Sequence, residues 1–191
     1  MLGKIRNKLD NYLISIVIPL KNWGVTPNQI TIISLPLSLI ASIFYFLQMP
    51  VLAGVFILLM GFMDILDGSL ARISKKESIR GAVLDSTIDR FTEIIPMLFL
   101  GISNLSNWLI VTLAVFSSML PSFVRAKIEK YSEKVPENIK YSIGERSERL
   151  IVLILFSFLY PVYTNSLNLA LVIIIILSLY STFVRLYSFL K

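Results

Sequence analysis

Residues 61–89 read GFMDILDGSLARISKKESIRGAVLDSTID. Apolar sequence runs into this stretch and out of it again, near 51–71 and 81–101, and each apolar run is long enough to cross a bilayer as a helix. Asp64 and Asp67 lie three residues apart at the end of the first run, and Asp85 and Asp89 lie four apart at the start of the second, so each pair shares a helix face. The short, basic link between the runs makes the two helices antiparallel neighbours, and the four acids converge just below one membrane surface. An ionised side chain within a span costs at least about 2.5 kcal/mol, so an intramembrane carboxylate points to function. Four such charges in a low dielectric would repel and protonate unless cations joined them. Two divalent ions balance the four acids, and all-oxygen ligation suits Mg²⁺, Mn²⁺ or Ca²⁺ over softer metals. The plainer reading, in which the acids pair with Arg72, Arg80 or Arg90, accounts for one such Asp more readily than for four.

The rest of the chain agrees with a membrane setting. Of 191 residues, 55% are hydrophobic and 16% charged, with a mean hydropathy of +0.76, too apolar for an ordinary soluble domain. Cysteine and histidine are both absent, which excludes disulfides, thiolate nucleophiles and Cys/His zinc sites. Apolar stretches near 27–47, 51–71, 81–101, 105–125, 149–164 and 167–187 predict an all-α integral membrane fold of six transmembrane helices. The segments around 47–50, 102–107 and 160–168 carry no charged residue, whereas 1–21, 72–80 and 125–149 carry most of them. By the positive-inside rule the charged side, with both termini and the acids, is cytoplasmic in a multi-pass protein of the cell membrane. The net charge of +6 therefore speaks for lipid headgroups and not for nucleic acid.

Thr26-Pro27-Asn28-Gln29 predicts the start of the first span, with Thr as N-cap, Pro at the first helical position and Gln closing a capping box. Before it, Leu2, Ile5, Leu9, Tyr12, Leu13, Ile16 and Val17 recur at helical spacing, which predicts an amphipathic interfacial helix over 1–22 ahead of a six-span domain over 23–191. A signal peptide is the lesser reading, since Pro19 and Lys21 interrupt the apolar run and no small-residue cleavage site follows. The polar stretch from Lys127 to Glu148 predicts a solvated helix or loop.

Small residues flank the acids. Gly68 follows Asp67 and Ala71 lies one turn on, so a flat ligand could approach the backbone there, and Gly81 opens the facing helix in the same way. Arg72 supplies a planar cation able to grip a phosphate. Together these residues form the pattern Asp64-x-x-Asp67-Gly68-x-x-Ala71-Arg72, then Gly81, Asp85 and Asp89, which resembles the signature of the CDP-alcohol phosphatidyltransferases without a departure. The resemblance implies a homodimeric transferase in which Asp64, Asp67 and Asp85 bind two metal ions, Mg²⁺ or Mn²⁺, while Asp89 completes the site and acts as general base. It also implies that Gly68, Arg72 and Ser78 contact the nucleotide part of a CDP-lipid and that Asn28 and Thr31 lie near its diphosphate.

The acceptor alcohol must be read elsewhere. Arg125 and Lys127 close the fourth span, and Arg146 and Arg149 sit three apart at the entrance of the fifth. Each pair could be a headgroup anchor, but together they could hold an acceptor that already carries a phosphate. The stretches Leu84–Arg90, Arg125–Lys127 and Gly144–Leu150 are similar to the branch that makes phosphatidylinositol phosphate or archaetidylinositol phosphate, whose acceptor is inositol 1-phosphate. Glycerol 3-phosphate is the rival acceptor, although in that branch the third aspartate is usually followed by Pro where this chain has Ser86. Serine and free inositol would not call for both basic pairs. From another class, a divalent-ion transporter also places acids in a membrane, but with carboxylates near the midplane and a counterpart in the other half of the chain. No such counterpart follows residue 105.

Overall fold

The computed structural model describes residues 6–75, 78–131 and 143–190, with side chains described from Leu13 onward. The described residues form seven helices, α1 (Arg6–Asn22), α2 (Pro27–Phe46), α3 (Pro50–Ser74), α4 (Ile79–Ile102), α5 (Trp108–Tyr131), α6 (Arg146–Leu159) and α7 (Ser166–Leu190), and no strand. Four of them, α2, α3, α5 and α7, are long and apolar enough to cross a membrane. Helix α4 has the length but carries Arg80, Asp85, Asp89, Arg90 and Glu93, and α6 has only 14 residues.

Local chemistry sets the helix boundaries. Pro27 occupies the first turn of α2, and the Thr26 backbone N–H donates to Gln29 Oε1 at 2.8 Å, the reciprocal half of a capping box. Helix α3 likewise opens on Pro50, and it closes on Lys75 with a left-handed φ of 51°. Ser78 then caps α4 by accepting the Gly81 N–H at 3.0 Å. At the uncharged end of the molecule, Gln48 Nε2 donates to the Ser103 carbonyl at 2.5 Å, tying the α2–α3 turn to the end of α4.

Packing departs from the expected closed pair of neighbours. Helix α2 lies against both α3 and α4, which make little contact with each other along their described lengths, so the two arms meet only where their acids converge. Helix α6 packs on α3, α7 on α5 and α6, and α5 on α4. The interior holds small and hydroxylated side chains that let helices approach closely. Ser34, Ser38 and Ser42 line the buried face of α2, and Ser38 donates across to the Thr92 carbonyl of α4 at 3.0 Å. A methyl group on Gly54 of α3 would stand 3.0 Å from Ser157 Cβ of α6. Tyr45 and Ser157 hydrogen-bond at 2.6 Å within a core that includes Ile57, Met60, Leu100, Leu153 and Leu171. Large apolar residues such as Ile33, Ile43, Leu58, Phe116, Phe123, Leu155 and Phe183 face outward. Buried serines among the core residues and large apolar side chains on the outside depart from the pattern of a water-soluble domain.

A second apolar cluster joins Leu13 and Val17 of α1 to Ile30, Leu66 and Leu70. It anchors α1 beside the helix turns that carry Thr31 and Asp67, while Ile14, Ile16 and Ile18 remain outside. Leu2, Ile5 and the side chains of Leu9 and Tyr12, expected on the same stripe, lie outside the described residues, as does the middle of the polar stretch over 127–148.

Candidate active site

Three of the sequence's acids meet. Asp64 and Asp67 descend from the last turns of α3 and Asp85 from the second turn of α4, and one carboxylate oxygen of each lies within 4.8 Å of the others. Asp67 is buried, and its Oδ2 accepts a hydrogen bond of 2.7 Å from Thr31 Oγ1, which fixes the carboxylate from the first turns of α2. Hard oxygen donors at this separation match a divalent cation, whose metal–oxygen distances of about 2.0–2.6 Å place opposite ligands about 4–5 Å apart. The donor set thus fits an Mg²⁺ or Mn²⁺ ion.

Asp89 lies one turn beyond Asp85 and faces a cation of the protein itself. Arg146, the first residue of α6, places Nη1 2.9 Å from Asp64 Oδ1 and 2.5 Å from Asp89 Oδ1, and its Nη2 donates to Thr92 Oγ1 at 2.8 Å. A single guanidinium therefore bridges α3 and α4 beside the acids.

The N-termini of α2 and α4 also touch. Gly81 does not open the helix as expected, since Ser78 and Asn28 close over it: a Cβ there would stand a tight 3.1 Å from Ser78 Oγ and 3.2 Å from Asn28 Oδ1. Asn28 and Ser78 are thereby brought together across Gly81. Gly68 lies one residue beyond Asp67, and Arg72 reaches back to Ser69 Oγ at 3.2 Å on the same helix.

The expected anion-binding pairs separate in space. Arg149 does not join Arg146 on one face but turns inward, where it is 2% exposed and fully engaged with Glu93 and the Gly144 carbonyl. Arg125 pairs with Glu129 at 2.7 Å on the exposed end of α5, and Lys127 Nζ lies 5.5 Å from the centre of the Phe123 ring. Sequence reasoning missed Arg185, a buried guanidinium in α7 that donates to the Pro121 carbonyl at 2.6 Å and feels the charges of Arg125, Glu145 and Arg149. Its signal was available, since it is a charge inside the last apolar run. It missed Glu93 and Thr92 too, one turn after Asp89 and buried.

Helices long and apolar enough to cross a membrane, with carboxylates gathered at a candidate cation site, define a membrane protein with a polar centre, and comparison with known proteins gives its family. The chain belongs to the CDP-alcohol phosphatidyltransferases, whose family pattern matches residues 24–184, and it is accordingly a transferase. It is 34% identical over 188 residues to an archaetidylinositol phosphate synthase of Pyrococcus horikoshii, a match covering 98% of this chain and 96% of that one. It is 30% identical to a bifunctional IPC transferase and DIPP synthase of Archaeoglobus fulgidus, over 71% of this chain and 28% of the larger relative. In fold it resembles the phosphatidylinositol phosphate synthase of Mycobacterium tuberculosis crystallised with CDP-DAG, with a TM-score of 0.79 at 20% identity over 93% of this chain and 92% of that one.

Proposed function

We propose that this enzyme transfers the lipid-phosphate group of a CDP-lipid, CDP-diacylglycerol or CDP-archaeol, to inositol 1-phosphate and releases CMP. The convergence of Asp64, Asp67 and Asp85 within 4.8 Å carries the reading, because a diphosphate donor needs a cation site of this kind. Two divalent ions bound by Asp64, Asp67, Asp85 and Asp89 would supply Lewis acidity and charge neutralisation at that diphosphate.

The chain's own residues do the rest. Asn28, Thr31, Gly68, Arg72 and Ser78 surround the donor, with Gly68 leaving its nucleotide room at the backbone. Asp89 takes the proton of the acceptor hydroxyl. The oxygen so activated forms a bond to the lipid-bearing phosphorus as the bond from that phosphorus to the CMP oxygen breaks, and Arg72 holds the charge of the departing CMP. The acceptor's own phosphate is drawn in by Arg125, Lys127 and Arg146, with Arg185 beside them. Arg149 contributes by fixing the turn that carries Arg146.

In this reading α4 and α6 join the four long apolar helices to make six spans, with α1 lying on the cytoplasmic leaflet ahead of the domain from residue 23 onward. The uncharged loops on one side and the basic ones on the other support cytoplasmic termini and a cytoplasmic active site. The enzyme works as a homodimer.

Inositol 1-phosphate is favoured over glycerol 3-phosphate by the likeness, over nearly the whole chain, to an archaetidylinositol phosphate synthase and by Ser86 after the third aspartate. The test is CMP release by the purified protein with Mg²⁺ and a CDP-lipid, comparing inositol 1-phosphate, glycerol 3-phosphate, free inositol and serine. Release with inositol 1-phosphate alone is expected. Release with glycerol 3-phosphate instead would keep the metal site and replace the acceptor, and divalent-ion flux without CMP release would point to a transporter.

A further inference from the structure

Arg146 stands where the acids most need a positive charge. Asp64 is shared: one of its oxygens belongs to the three-carboxylate group, and its Oδ1 pairs with Arg146 at 2.9 Å. Asp89 falls outside that group and pairs with the same guanidinium nitrogen at 2.5 Å. The acids thus divide into a set of three facing one another and a pair, Asp64 and Asp89, joined by an internal cation. Arg146 Nε is buried without a hydrogen-bond partner, so the guanidinium is held through its two terminal nitrogens alone and leaves part of its donor capacity unused. Arg149, three residues later, differs in engaging all three of its nitrogens, with Nε and Nη2 on Glu93 and Nη1 on the Gly144 carbonyl.

The turn before α6 is built to hold Arg146 at this point. Gly144 has a φ of +90°, its N–H donates to Glu148 Oε2 at 2.6 Å, and its carbonyl accepts from Arg149. The backbone at residue 146 is therefore fixed, whereas the side chain has a long flexible stem and reaches its partners by its tip.

From these relationships we infer that Arg146 is an internal counter-cation for Asp64 and Asp89 that competes with the second divalent ion, and that binding of this ion releases the guanidinium. The inference rests on the metal-site reading above and adds an order to it. The first cation joins three carboxylates and leaves the pair of Arg146 with Asp89 in place. The second must displace Arg146, so it binds more weakly, and its arrival frees a guanidinium beside the acids for the acceptor's phosphate. Metal loading and acceptor binding are linked through one side chain, and the link is reciprocal.

Mn²⁺ binding to the detergent-solubilised protein without substrates tests this, with free Mn²⁺ counted by electron paramagnetic resonance. The wild type is expected to bind one ion tightly and a second more weakly, and Arg146→Gln is expected to bind the second about tenfold more tightly. Arg146→Lys, which keeps the charge but loses the second guanidinium nitrogen that reaches Thr92, should shift the second ion in the same direction by less, and it serves if the Gln variant does not fold. A second ion that binds both variants no better than the wild type overturns the competition. A single ion in the wild type that remains single in both variants overturns it equally, with the three-carboxylate site left standing. Absence of Mn²⁺ binding in all three proteins removes the metal-site reading and this inference with it.

Discussion

Arg149 and Glu93 meet as a two-pronged ion pair inside the helix bundle, with Nε 2.6 Å from Oε1 and Nη2 2.9 Å from Oε2. Both side chains are almost wholly buried, at 2% and 5% exposure. The pair joins the start of α6 to the middle of α4, and the third prong of Arg149 on the Gly144 carbonyl extends the join to the turn that presents Arg146. Removing one partner leaves a buried charge alone, which costs about 3–5 kcal/mol, whereas replacing both by apolar residues of similar size is often close to neutral. Glu93→Leu and Arg149→Met are each expected to lower the thermal unfolding midpoint sharply in detergent. The double variant should recover most of the loss, and a double variant as unstable as the sum of the singles would refute the pairing.

Asp67 separates a metal ligand from a structural acid. Its carboxylate is buried and held by Thr31, and an amide in its place keeps a hydrogen-bond acceptor for that hydroxyl. Asp67→Asn removes a buried charge, so the protein without metal should be at least as stable as the wild type. What it should lose is the stabilisation by Mn²⁺, which at a hundredfold excess over the dissociation constant amounts to about 2.7 kcal/mol. Thermal unfolding with and without Mn²⁺ reads both effects, and an undiminished Mn²⁺ shift in the variant would show that Asp67 holds no ion.

The acids were legible in the sequence because their position contradicts their surroundings: a carboxylate within an apolar run has few reasons to be there. The start of α2 was legible because Thr26, Pro27 and Gln29 act locally, through groups within four residues. The two arginines of α6 were not. Arg146 and Arg149 look alike in the sequence, three residues apart, yet one reaches Asp64 and Asp89 and the other Glu93. Which way each turns depends on α6 packing against α3 and on α4 lying opposite, relationships between segments more than fifty residues apart that no local pattern encodes. For the same reason the two acid-bearing arms read as a closed hairpin, while the wedge of α2 between them is a property of the whole bundle.

Asp89 and Gly144 test the site and its frame independently. Asp89→Asn should lower turnover by about 10²–10⁴-fold, the usual contribution of a general base, with folding retained. Turnover reduced by less than about tenfold would take the proton-transfer role away from it. Gly144 has no side chain to offer the chemistry, and its left-handed φ of +90° and a Cβ that would stand 2.3 Å from the Leu177 carbonyl leave no room for one. Gly144→Ala should therefore destabilise the protein by about 1–3 kcal/mol and shift the turn that carries Arg146. Unfolding in detergent measures the first effect, and Mn²⁺ affinity the second.

Arg185 offers the sharpest division between donor and acceptor. It lies in α7 and shares its electrostatic surroundings with Arg125 and Arg149. If it helps to hold the acceptor's phosphate, Arg185→Gln should raise KM for inositol 1-phosphate by about tenfold or more, in line with the loss of one charge-assisted contact, and leave KM for the CDP-lipid nearly unchanged. Arg185 also donates to the Pro121 carbonyl, so part of its effect could come through the packing of α7 on α5. Arg185→Lys distinguishes the two contributions, because it retains the charge near the anion but not the guanidinium's geometry toward Pro121. Partial recovery of the acceptor KM in the lysine variant is the result expected of an electrostatic role. Equal rises in both KM values, or a fall in kcat alone, would mean that Arg185 supports the fold and takes no part in recognising the acceptor.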